Sequence, residues 1–90
     1  MKEPSTIIDV RGMEKVSDRP KKVSRELGSI KEGDCADIVA DDERMLELAP
    51  KMIKSIGKAR FIKSCEGDDG YFHTLVEEDL ALAEIIAQNI

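Results

Sequence analysis

Short β-branched runs and helical-period segments alternate along this chain, each closed by glycine or by charged residues. Thr6-Ile7-Ile8-Asp9-Val10 is rich in β-branched side chains and stops at Arg11-Gly12, which predicts a strand. In Ser17-Asp18-Arg19-Pro20, Pro20 fits only a first helical turn, and Ser17 is placed to cap it with its side chain. Pro20, Val23, Leu27 and Ile30 then recur at three- and four-residue spacing, predicting a helix over 18–28 that Gly28 ends. Ala36, Ile38 and Ala40 alternate with Cys35, Asp37 and Val39, the period of a half-buried strand. Asp42 is placed to cap a second helix whose apolar face is Met45, Ala49, Met52, Ile53 and Ile56, and Gly57 closes it. A third strand is expected over 59–65 and a fourth over 71–76, joined by Glu66-Gly67-Asp68-Asp69-Gly70. The order is β-α-β-α-β-β, and its alternating start implies a parallel pair crossed by a helix.

Beyond residue 76, Glu77-Glu78-Asp79 reads as the acidic start of a last helix. Leu80, Ala81, Leu82, Ala83, Ile85, Ile86, Ala87 and Ile90 leave that helix only a narrow polar stripe. It is too apolar to be solvated, so it is expected either to cover the open sheet face or to pair with a second copy through residues 80–90. Ninety residues make one domain, with 1–76 as the body and 77–90 as a helical extension of it.

Composition narrows the function. The chain has 19 acidic and 14 basic side chains, and the −5 balance argues against generic nucleic-acid or anionic-lipid binding. With no Trp, one Tyr and two Phe, the core must be aliphatic and little surface is left for stacking on bases. Two cysteines and one histidine are too few for a disulfide scaffold or a structural zinc site. Neither a signal peptide nor a membrane-length apolar run is visible, so a cytoplasmic protein with reduced thiols is expected, and no cofactor or metal is called for.

Four pieces of sequence resemble the TusA (SirA-like) sulfur-carrier family. Asp9-Val10-Arg11-Gly12-Met13 looks like its Asp-x-x-Gly-Leu opening. Gly33-Asp34 followed by Ala40-Asp41-Asp42 looks like its Gly-Glu…Ala-Asp-Asp segment. Pro50 matches a proline of its second helix, and Gly67 to Tyr71 resembles the turn before its last strand. The resemblance spans roughly residues 6–76 and implies an α/β two-layer sandwich: a four-stranded mixed sheet with two helices on one face. The family carries a persulfide on the cysteine of Cys-Pro-x-Pro at the start of the first helix. Here, counting from Gly12 puts Lys15 at that position, counting back from Gly33 puts Val16 there, and anchoring on Pro20 puts Ser17 there. None is a cysteine, and a serine alkoxide is out of reach at neutral pH. The resemblance therefore implies a non-catalytic, partner-binding or regulatory member.

The alternative is a working sulfur carrier that uses Cys65, or else Cys35. Cys65 is expected at a strand end with Lys63 on the same face, a cation that favours the thiolate, while Glu66, Asp68 and Asp69 oppose it. Cys35 shares its parity with Asp37 and is expected on the open sheet face. His73 reads as an ordinary strand histidine that can approach Cys65 across the hairpin. Asp41 and Asp42, adjacent at a strand exit, are expected to diverge rather than act as a carboxylate pair. Lys51, Lys54, Lys58, Arg60 and Lys63 form a basic stretch that could dock a protein partner or serve simply as solvated charge.

Overall fold

The computed structural model describes residues 4–31 and 33–78. Strand β1 (Thr6–Asp9), helix α1 (Asp18–Leu27), β2 (Cys35–Ala40), α2 (Met45–Ile56), β3 (Ala59–Glu66) and β4 (Phe72–Glu78) follow in the predicted order. The sheet runs β1-β2-β4-β3. β1 and β2 are parallel, and β4 is antiparallel to both of its neighbours. This is the mixed four-stranded α/β sandwich that the resemblance implied, in the element order that the periodicities gave.

One face of the sheet supplies Ile8, Ala36, Ile38, Ala40, Ala59 and Val76 to the core. Val23 and Leu27 of α1 and Met45, Ala49, Met52 and Ile53 of α2 close over them. Alanine at 36, 40, 49 and 59 keeps the helix layer close to the strands, so the aliphatic groups fill the space without an aromatic centre. Gly57 ends α2 with a φ of 74°, a left-handed conformation that side-chain-bearing residues disfavour, and its N–H reaches the Ile53 carbonyl.

Pro50 stands inside α2 and has no N–H to give the Leu46 carbonyl four residues back. The Ser64 hydroxyl donates to that carbonyl at 3.4 Å from β3. A helix defect and a strand side chain are thus complementary, and the pair ties α2 to the sheet.

An irregularity between Phe61 and Lys63 sets the faces of β3. Phe61 pairs with Val76 on the core side. Strict alternation would then turn Lys63 inward. The bulge at Ile62 restores Lys63 to the side of Leu75 and sets Cys65 opposite His73, on the face away from the helices.

Several expectations are corrected. Glu77 and Glu78 belong to β4, where they pair with Arg60 and Ala59, and do not start a last helix. Residues 79–90, and with them the dimer and sheet-cover readings, lie outside the described residues. Ser17 occupies the α1 N-cap position but makes no capping bond with its side chain, because its backbone is already helical. The α2 N-cap is Arg44, not Asp42; the Asp42 carboxylate instead accepts the Arg44 N–H at 2.9 Å, bracing the turn that precedes the helix. Cys35 does share the open-face parity, yet it is buried, with 4% exposure, as is Val39 farther along the same face. β2 is therefore covered on both faces at those two positions rather than half-buried.

Candidate functional site

Two pieces of the resembled motif, Asp9 to Gly12 and Asp41-Asp42, meet at the end of the sheet where α1 begins, whereas Gly33-Asp34 lies at the other end of β2 and Pro50 within α2. Asp9 turns back on Arg11, accepting its backbone N–H at 2.9 Å and both arms of its guanidinium at 2.9 and 2.8 Å. Those hydrogen bonds from Arg11 lower the Asp9 carboxyl to about 2. The same guanidinium lies 4.6 Å from the Tyr71 ring centroid, a cation–π contact that joins this turn to the last hairpin. Gly12, at a φ of 74°, donates its N–H to Asp41 Oδ2 at 2.9 Å. Asp41 and Asp42 diverge, as expected: Asp41 holds the Gly12 turn, and Asp42 points to two arginines.

Those arginines are unequally placed. Arg44, exposed, grips Asp42 through Nε and through NH2 at 2.6 Å. Arg19, only 5% exposed, reaches Asp42 with NH1 at 3.4 Å and the Met13 carbonyl with NH2 at 3.5 Å. Its Nε is buried without a hydrogen-bond acceptor among the described residues. The Arg44 hydrogen bonds, assisted by Arg19, keep Asp42 ionised well below the ordinary carboxylate range.

Lys15, Val16 and Ser17 wind into α1 through the bonds from Asp18 N to the Lys15 carbonyl and from Arg19 N to the Val16 carbonyl. All three are exposed, so each alternative for the family's cysteine position lies at the surface before α1. Beside them runs a groove of about 310 Å³ lined by Val16, Ser17, Arg19 and Pro20 on one side and by Met45, Leu48, Lys51 and Met52 on the other. Val16 and Leu48 are 40% and 37% exposed, large apolar groups left facing solvent.

The second cluster lies on the opposite face of the sheet. His73 Nδ1 lies 2.8 Å from Asp37 Oδ2, and Nε2 lies 3.0 Å from both carboxylate oxygens of Asp69. The bonds to Asp37, then those to Asp69, raise the His73 pKa against the opposing effect of burial. When protonated, the ring donates from both nitrogens and holds no lone pair for the neighbouring thiol's proton. Cys65 stands opposite it in the ladder and is exposed. A 180 Å³ pocket joins Pro4, Asp37, Lys63, Cys65, His73 and Leu75. Gly67 fits because it lacks a Cβ, which would lie 2.7 Å from the His73 ring. Sequence reading missed the Asp37–His73 bond, since Asp37 is 36 residues away and meets His73 only through β2–β4 pairing. Asp69, four residues before His73, was the one local signal.

The two thiols do not meet: β4 separates the strands that carry them, and both cysteines are free. Neither lies at the α1 turn. The basic stretch also divides. Lys51 and Lys54 are exposed on α2 and Lys58 follows it, whereas Arg60, bonded to Glu77 at 2.7 Å, and Lys63 lie on the far face of the sheet. Among the described residues no group of histidine, cysteine and carboxylate side chains is arranged to hold a metal ion, and no helix is long and apolar enough to cross a membrane.

No protein-family model matches this chain. No curated protein matches it significantly either.

Proposed function

We propose that this protein is a sulfur-carrier-like frame without the persulfide cysteine, and that it acts by binding a partner protein at the groove between α1 and α2. One observation carries the reading. Lys15, Val16 and Ser17 occupy the turn before α1, and both thiols of the chain lie on β2 and β3, on the sheet face away from the helices. The exposed Val16 and Leu48 give the groove an apolar surface of the kind that a partner covers. Incubation of the full chain with a cysteine desulfurase and cysteine is expected to leave both cysteines without persulfide by mass spectrometry. A persulfide on either one would refute the reading.

The exposure of Cys65 opposite His73 in the ladder favours a second reading, persulfide transfer on Cys65. It requires Cys65 to alkylate with iodoacetamide much faster than free cysteine near neutral pH. Cys35 drops out of this alternative because burial keeps a sulfur donor from it.

A further inference from the structure

Arg19 is a buried cation whose counter-charge is already taken. Asp42 lies 3.4 Å from it and 2.6 Å from Arg44. Its second bond, to the Met13 carbonyl, is at the outer limit of hydrogen-bond distance, and its Nε has no acceptor. A buried charge that is paired this loosely destabilises a fold, whereas an apolar side chain of the same size would not. Arg19 also lines the groove, together with Lys51, and the eight lining residues include no carboxylate. In a chain with five more acidic than basic groups, a groove lined by two cations and no carboxylate, where Asp42 at 3.4 Å is shared between Arg19 and Arg44, favours an anion. Around those cations the walls are apolar: Val16, Pro20, Met45, Leu48 and Met52. The Ser17 hydroxyl, which makes no capping bond, adds a donor at the same end.

We infer that the groove takes an acidic, apolar segment of the partner protein, with one carboxylate meeting Arg19 and a neighbouring aliphatic side chain lying between Pro20, Leu48 and Met52. The inference rests on the partner-binding reading and specifies what that partner presents. The carboxylate supplies the counter-charge that Asp42 shares with Arg44, and the aliphatic group covers the exposed Leu48 and Val16. Neither element alone matches the lining.

The test titrates the isotopically labelled full chain with two synthetic peptides, followed by amide chemical shifts. One is acetyl-Leu-Asp-Leu-Leu-amide and the other has Asn in place of Asp. The acidic peptide is expected to cause saturable shifts at Ser17, Leu48 and Lys51 and to bind roughly tenfold more tightly than its Asn counterpart, the size of one charged hydrogen bond. Arg19→Met is expected to abolish that preference. If Arg19→Met does not fold, Lys51→Glu and Leu48→Glu, both at exposed sites, must each weaken the acidic peptide instead. Equal binding of the two peptides, shifts confined to another surface, or no shifts at all would overturn the inference. If that happens while the desulfurase assay still yields no persulfide, the partner-binding reading survives with a different surface. Persulfide formation together with selective binding of the acidic peptide gives the opposite division.

Discussion

Arg19 and Asp42 are joined across 3.4 Å, but Asp42 belongs more closely to Arg44 at 2.6 Å. Arg19 is thus buried with less than a full counter-charge, which has a consequence for stability. Arg19→Met keeps the bulk of the side chain and removes the charge, so the unfolding free energy from urea titration is expected to stay within about 1 kcal/mol of the wild type or to rise. Asp42→Asn takes away the only carboxylate that Arg19 reaches among the described residues and is expected to lower the midpoint. A large loss in Arg19→Met would mean that the guanidinium is already fully satisfied.

His73 gives the fold a pH dependence of definite sign. Its pKa is raised above the ordinary 6.5 by Asp37 and Asp69. The stabilisation is fully present below about 6.5 and is lost as pH rises through the higher folded value. As the chain's single histidine, it gives an unambiguous imidazole proton signal. Titration is expected to place its midpoint above 6.5, and His73→Gln is expected to remove the decline in urea midpoint between pH 6 and pH 8.5.

Gly67 is required by that histidine. A Cβ there would lie 2.7 Å from His73 Cδ2 and Nε2 and 2.8 Å from Asp69 Oδ1. Gly67→Ala must push the ring off Asp69, with a loss of about 1–2 kcal/mol from overpacking. The His73 midpoint is expected to fall toward 6.5 in the same variant. An unchanged midpoint would show that the loop moves and the ring does not.

Pro50 and Ser64 are coupled. Ser64→Ala leaves the Leu46 carbonyl without its donor and is expected to destabilise the protein by about 1 kcal/mol. In a Pro50→Ala background the helix regains the missing N–H, so the same substitution is expected to have almost no effect. A double-mutant cycle in urea checks this, and additive changes would contradict it.

Much of this architecture was legible because each element carries its own local signal. The β-branched run at 6–10, the Val23–Leu27 spacing and the Met45–Ile53 face mark strand, helix and helix from neighbours alone. The misreadings arose where a distant partner decides. Three consecutive acids after Val76 suit a helix start, but Arg60 across the hairpin draws Glu77 into β4. Asp42 suits an N-cap, but Arg44 beside it takes its carboxylate. The bulge at Ile62 leaves no compositional trace, although it decides which side of the sheet Lys63 and Cys65 occupy. Of the candidate site, the sequence alone shows that neither cysteine lies between Gly12 and Pro20. The buried Arg19 was not visible there, because a charged residue in a first helical turn ordinarily faces water.

We proposed that the chain is a sulfur-carrier-like frame without a persulfide cysteine. Persulfide labelling after incubation with a cysteine desulfurase, run side by side on the wild type, Cys65→Ser and Ser17→Cys, tests it most directly. No label is expected on the wild type or on Cys65→Ser, and a label is expected on Ser17→Cys, whose new thiol stands at the start of α1. Label on the wild type that disappears in Cys65→Ser would contradict it.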